Sequence, residues 1–213
     1  MIVAIDGPAG AGKSTVARRL AERLGFRYLD TGAMYRALTW LAMQRGLDLS
    51  EGRLLGELAA DNPVDFSDTG RVSIAGTDVT ASIRKSSIDR QVPVVARHPA
   101  VREVMRERQR ELGHEGDVVI EGRDIGTVVA PDAEVKIYLN ADASVRTKRR
   151  QTERPDIGSD ALATDLRLRD QSDAARMQPA ADAEQIDTSD LEVDVVVSRI
   201  EQLVHDRLAA SRR

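Results

Sequence analysis

Residues 1–20, MIVAIDGPAGAGKSTVARRL, run an apolar stretch into three glycines, a lysine and a helical pattern. Ile2 to Ile5 is a short apolar run closed by Asp6-Gly7-Pro8, the signature of a strand and a turn. From Lys13 to Leu24 the apolar residues Val16, Ala17, Leu20, Ala21 and Leu24 fall at helical spacing, and Gly25 is a stop signal. Between them, Gly7 to Ser14 matches G-x-x-x-x-G-K-[ST] without departure, in the strand–turn–helix setting that the motif requires. The glycines let successive backbone N–H groups turn toward phosphate oxygens, and a helix N-terminus adds positive partial charge. Gly7, Pro8, Ala9, Gly10, Ala11, Gly12, Lys13, Ser14 and Thr15 are therefore expected to cradle a nucleoside triphosphate. Lys13 is expected on the β and γ phosphates, and the Ser14 hydroxyl on Mg²⁺.

The totals fit that reading. A chain of 213 residues suits one domain with a small appended lobe. Apolar residues make up 41% and aromatics only 3%, so the core must come from Leu, Val, Ile and Ala. The net charge of −4 gives no pull toward nucleic acid or an anionic membrane. With no cysteine, thiolate catalysis and Cys-bound zinc are excluded. No apolar stretch is long enough to span a membrane. The strand-like run starting at residue 2 leaves no room for a cleavable leader, and a cytoplasmic protein is expected.

Further along, Phe26–Leu29 reads as a second strand and Thr31 as the cap of a helix ending near Gly46. Glu51–Ala60 reads as a short helix. Residues 64–80, VDFSDTGRVSIAGTDVT, have the look of a small antiparallel ribbon that interrupts an alternating α/β pattern. Helical pattern returns over Ile88–Ala96 and again from Pro99 to Leu112. Asp117–Ile120 and Glu134–Leu139 are near-continuous apolar strands of the buried parallel kind. The residues between them, EGRDIGTVVAPDA, are expected to form a loop. Ala143–Arg154 reads as a helix carrying Arg146, Lys148, Arg149, Arg150 and Arg154. Ser159 is expected to cap a helix to Met177. A short strand, Gln185–Asp187, precedes a last amphipathic helix. Strands alternating with helices predict a parallel sheet with helices on both faces and a ligand beyond the strands' carboxyl ends.

Three more segments carry polar chemistry: LDTGAMYR at 29–36, EGRDIGTVV at 121–129 and LRLRDQSDAARMQPAADAEQIDTS at 166–189. Together with DGPAGAGKST, and in this order, they resemble the bacterial cytidylate kinases, and the resemblance covers essentially the whole chain. It implies an α/β P-loop kinase fold: a five-stranded parallel sheet flanked by helices, an inserted β-lobe at 61–97 that binds the monophosphate, and a helical lid at 146–162. It implies transfer of the γ-phosphoryl of ATP to CMP or dCMP, with Mg²⁺. Residue by residue, it implies Thr31, Tyr35 and Arg36 in the acceptor pocket and Arg102 and Asp124 on the cytosine ring. It further implies Arg123 and Arg176 on phosphate, Arg169 and Asp173 near phosphates and sugar, and Arg150 on ATP. Lys13, Arg123, Arg169 and Arg176 would be the catalytic cations. Where some members have a serine that touches the base, this chain has Pro93.

The chemistry agrees with that assignment. Phosphoryl transfer needs charge neutralisation and in-line positioning more than covalent help. Arginine forks match phosphate oxygens two at a time. Small-molecule kinases acting on UMP, AMP, shikimate or dephospho-coenzyme A are the nearest alternatives. A nucleotide-hydrolysing switch protein and a nucleic-acid binder using the basic 146–154 helix are the others. The basic run is read as a lid over ATP phosphates. Asp6 reads equally as a group near Mg²⁺ or as a turn residue, and His98, His114 and His205 as structural. A monomer binding ATP and CMP or dCMP, with no nucleic acid and no membrane, is expected.

Overall fold

The computed structural model describes residues 1–67, 69–155, 157–174 and 176–211. Asp68 of the 64–80 ribbon and Asp156 of the 146–162 segment lie outside the described residues. The chain divides into two compact units, one of residues 1–28 with 116–213, the other of residues 29–115.

In the first unit, β1 (Ile2–Asp6) leads through the cradle into α1 (Lys13–Leu24), and Gly25 ends the helix in a left-handed conformation. β2 (Arg27–Asp30) crosses the unit boundary. β6 (Val118–Gly122), β7 (Val135–Asn140) and β8 (Glu184–Asp187) complete a sheet ordered β2-β6-β1-β7-β8. The β1–β6, β1–β7 and β7–β8 pairs are parallel. Val3, Ala4 and Ile5 are all inaccessible, as are Val118, Val119 and Ile120. Burial of successive residues means that both faces of these strands are covered, which is why they read as unbroken apolar runs. α6 (Ala143–Glu153), α7 (Ser159–Asp173) and α8 (Val193–Ser211) belong to the same unit. α1 and α8 share one core with the sheet, in which Leu20, Val119, Ile137, Ile186, Val197, Ile200 and Val204 are buried. Cutting Leu20 back to alanine there would cost about 2–5 kcal/mol, a large part of the ~5–15 kcal/mol that a domain has to lose.

The second unit holds α2 (Thr31–Gln44), α3 (Gly52–Asp61), β3 (Val64–Phe66), β4 (Val72–Ile74), β5 (Thr77–Asp78), α4 (Ser86–Ala96) and α5 (Pro99–Gly113). β3, β4 and β5 form an antiparallel sheet within the expected ribbon. Val64, Val72 and Ile74 bury one face of it, with Asp65 exposed between, the alternation of a half-covered sheet.

Three expectations are corrected. Thr31 does not cap α2; Asp30 does, its carboxylate accepting the N–H of Ala33 at 2.8 Å. Both residue types cap helices, but the Asp30 carboxylate also holds Arg36 at 2.7 Å, so the cap falls one residue earlier. Ser159 does not cap α7, whose N-cap is Gly158, and α7 ends at Asp173 rather than Met177. The segment 121–133 is not all loop. β6 runs on to Gly122, and Ile125–Val129 forms one π-helical turn.

Candidate active site

The cradle follows from two close approaches. A side chain at Gly7 would meet the Leu139 carbonyl oxygen at 2.0 Å, and one at Gly10 would meet Arg146 Cβ at 2.9 Å. Both glycines also have positive φ, a region that other residues rarely adopt. The loop therefore lies flat against β7 and α6. No side chain caps α1 at Gly12.

Five successive carbonyl oxygens of this loop are taken by side-chain donors. Arg123 Nη1 donates to Gly7 at 2.8 Å, Lys13 Nζ to Pro8 at 2.8 Å and Arg146 Nη1 to Ala9 at 3.2 Å. Arg149 Nη1 donates to Gly10 at 3.5 Å and Thr188 Oγ1 to Ala11 at 3.1 Å. Tying the carbonyls down leaves the loop's N–H groups as its donors toward a ligand, and four of the five tethering groups are cations. The arrangement is built for an anion before one arrives.

Ser14 Oγ donates to Glu121 Oε2 at 2.9 Å, and the Tyr28 hydroxyl donates to the other oxygen of the same carboxylate. Arg18 lies over the Tyr28 ring at 5.5 Å. Glu121 is buried at the end of β6, the strand beside β1. A hydroxyl and a carboxylate are hard oxygen donors of the sort Mg²⁺ takes alongside phosphate oxygens and water. This donor pair therefore fits the ion expected at Ser14.

Asp6 is buried, and its two carboxylate oxygens accept the N–H groups of Ile125 and Gly126, both at 2.8 Å. Its role is that of an anchor: it satisfies the first donors of the π turn and sets the chain just after Arg123-Asp124. Burial raises its pKa above the ordinary 3.8, against the lowering effect of those two N–H bonds, and the Asp124 charge raises it further. Asp124 is itself buried.

Arg123 and Arg176 come together on one carboxylate, that of Asp173. Arg123 Nε lies 3.3 Å from Asp173, and Arg176 Nη2 bonds the other Asp173 oxygen at 2.5 Å. Burial lowers the Arg123 pKa, and the Asp173 carboxylate pulls it back up. Arg169 pairs with Asp165 at 3.2 Å, one turn back on α7. Arg150 pairs with Glu153 at 2.7 Å on α6.

In the second unit, buried Thr31 and half-buried Tyr35 and Arg36 stand on the first turns of α2. The Tyr35 carbonyl accepts from Thr39 Oγ1 at 2.7 Å. Arg102 lies on α5 beside buried Val101 and Met105. Pro93 sits inside α4, so that position offers no hydroxyl. His98 packs structurally, its Nε2 2.9 Å from the Leu49 carbonyl.

Sequence reasoning missed Glu121, Tyr28, Asp30, Arg146, Asp170 and Thr188 as individual participants. Only Glu121 carried a usable signal, as the acidic residue ending a buried strand ahead of Gly122-Arg123. Among the described residues there is no helix long and apolar enough to cross a membrane, and no cluster of three or more His, Cys, Asp or Glu that could hold a metal.

A family model described as Cytidylate kinase matches residues 3–206. A cytidylate kinase of Anoxybacillus flavithermus is 49% identical over 217 residues, covering 97% of this chain and 96% of that protein. One from Bacillus licheniformis is 44% identical over 216 residues, covering 96% of each. A bifunctional pantoate ligase/cytidylate kinase of Trichormus variabilis is 44% identical across 98% of this chain and 42% of that longer protein. Among solved structures, a shikimate kinase from Bacteroides thetaiotaomicron is similar with a TM-score of 0.54 at 15% identity, covering 96% of this chain and 98% of that one. That likeness is one of fold: a parallel sheet flanked by helices, as in other P-loop kinases.

Proposed function

Because the chain belongs to the cytidylate kinase family, we propose that it transfers the γ-phosphoryl group of ATP to CMP and dCMP, releasing ADP and CDP or dCDP. The observation that carries this is the match of the family over residues 3–206, cradle included. A phosphate oxygen of the acceptor attacks the γ-phosphorus as the bond to the β-phosphate oxygen breaks, and no enzyme nucleophile intervenes.

The cradle of residues 7–15, through its N–H groups other than at Pro8, and Lys13 hold the ATP phosphates, with Arg150 as a further ATP contact. Ser14, backed by Glu121, would hold Mg²⁺, which would supply neutralisation of the phosphates' negative charge. Lys13, Arg123, Arg169 and Arg176 stabilise the transferring group. Thr31, Tyr35 and Arg36 serve the acceptor phosphate, Asp173 its sugar, and Arg102 and Asp124 its base. Residues 61–97 act as the monophosphate-binding lobe and 146–162 as the lid. The reaction is assigned to the cytoplasm and to a monomer.

Support for the charge assignments comes from the loop geometry, where cations already back four successive carbonyls. The test is a set of initial rates with MgATP and CMP, dCMP, UMP, AMP, shikimate or dephospho-coenzyme A. CMP and dCMP should be the best acceptors. Preference for any other acceptor would refute the reading.

A further inference from the structure

We propose that Arg146 is a positioning residue for phosphoryl transfer: through Asp170, its guanidinium sets where α7 stands relative to the phosphate cradle. The proposal rests on the kinase reading above.

Arg146 lies in the first turn of α6, within the run of basic residues expected to form a lid. Its side chain is only 10% exposed, so it is no solvated cation. Nε donates to the Ala141 carbonyl at 3.1 Å and Nη1 to Ala9 of the cradle at 3.2 Å. The same guanidinium grips Asp170 of α7 with both ends of its fork, at 3.2 Å and 2.7 Å. One planar group thus joins the end of β7, the cradle and α7. Its helix also touches the loop directly, as Arg146 Cβ fills the space that a side chain at Gly10 would need.

Asp170 stands next to Arg169 and three residues before Asp173. Asp173 pairs with Arg123, and Arg123 donates to the Gly7 carbonyl. α7 is therefore tied to the cradle twice. One link runs from Ala9 through Arg146 to Asp170, the other from Gly7 through Arg123 to Asp173. These links lie within a single unit and form a closed ring of charge-assisted bonds. A bidentate fork fixes direction as well as distance, which a lysine cannot do.

Neither Arg146 nor Asp170 is assigned to a substrate, so their effect passes through Arg169, Asp173 and the loop. Displacing a catalytic group by about 1 Å can cost about a hundredfold in rate. Asp170→Ala keeps the Arg146 bonds to Ala9 and Ala141 while releasing α7. It should lower kcat by at least about tenfold with KM for ATP held within about twofold, the signature of an interaction realised in the transition state. Arg146→Lys should lower kcat similarly, and the double variant should lose little more than either single one, because both break one link. A structural role alone would lower Tm and leave kcat within about twofold of wild type, and that result would overturn the proposal.

Failure of the wild-type chain to phosphorylate CMP would refute the functional reading instead. Hydrogen exchange then decides the positioning role. Faster exchange of the α7 amides around residues 166–173 in Asp170→Ala supports it, and unchanged exchange there overturns it.

Discussion

Ser14 gives its hydroxyl proton to Glu121 at 2.9 Å, joining the first turn of α1 to the end of β6. The carboxylate is buried and takes the Tyr28 hydroxyl on its other oxygen. With the Ser14 hydroxyl bonded to it, the carboxylate stands where a divalent cation at Ser14 would meet its negative charge. Glu121→Gln removes that charge and keeps the shape. It should raise the Mg²⁺ concentration needed for half-maximal rate by about tenfold, the usual scale for a partner that orients a metal ligand. Calorimetric binding of ADP at several Mg²⁺ concentrations provides the same comparison without turnover. An unchanged Mg²⁺ requirement would separate Glu121 from the ion.

Lys13 Nζ donates to the Pro8 carbonyl at 2.8 Å. That bond is a modest one, so Lys13→Ala should fold normally, as circular dichroism would show. Turnover should fall by at least about a hundredfold, the scale of losing one preorganised donor to developing charge. Near-normal turnover would refute the phosphate-cradle assignment.

Asp6 carries a pH dependence of known sign. Its folded-state pKa is raised above 3.8, so the folded protein holds that proton more firmly than the unfolded chain does. Between the two values the native state binds more protons, and stability from this group falls as pH rises. Asp6→Asn cannot ionise and loses one of the two N–H acceptors at Ile125 and Gly126. The Tm advantage of wild type over Asp6→Asn should therefore narrow as pH rises from about 4 toward 7. An advantage that widens over that range would contradict the burial argument.

The local parts of the fold were legible in the sequence. The β1–cradle–α1 unit and the Gly25 stop rest on spacing within two dozen residues, and the structure reproduces α1 from Lys13 to Leu24. What could not be read depends on distant partners. The π turn at Ile125–Val129 exists because Asp6, 119 residues earlier in the chain, satisfies its first N–H. Within a basic run expected to form a lid, Arg146 could not be singled out, because its partners are Ala9, 137 residues away, and Asp170, on the next helix. The Asp30 cap was missed for a different reason, since Asp30 and Thr31 are adjacent and equally suited to it. Arg36, six residues on, tips the balance.

Asp124 is the carboxylate assigned to the cytosine amine. Uracil would put a carbonyl oxygen against it, leaving two acceptors face to face at a cost of roughly 1–3 kcal/mol or more. Arg102 cannot make this distinction, because both bases share the ring O2. Asp124→Asn can donate as well as accept, so it should narrow the gap in kcat/KM between CMP and UMP. An unchanged ratio would place base reading elsewhere, near Pro93 or at a bound water.

Competition between the two pyrimidines tests the central claim most directly. Equimolar CMP and UMP are mixed with limiting MgATP, and CDP and UDP are quantified at low conversion, so that their ratio equals the ratio of kcat/KM values. A site that pairs the cytosine amine should give CDP over UDP by at least about tenfold. Equal amounts, or an excess of UDP, would contradict the assignment of this chain as a CMP kinase.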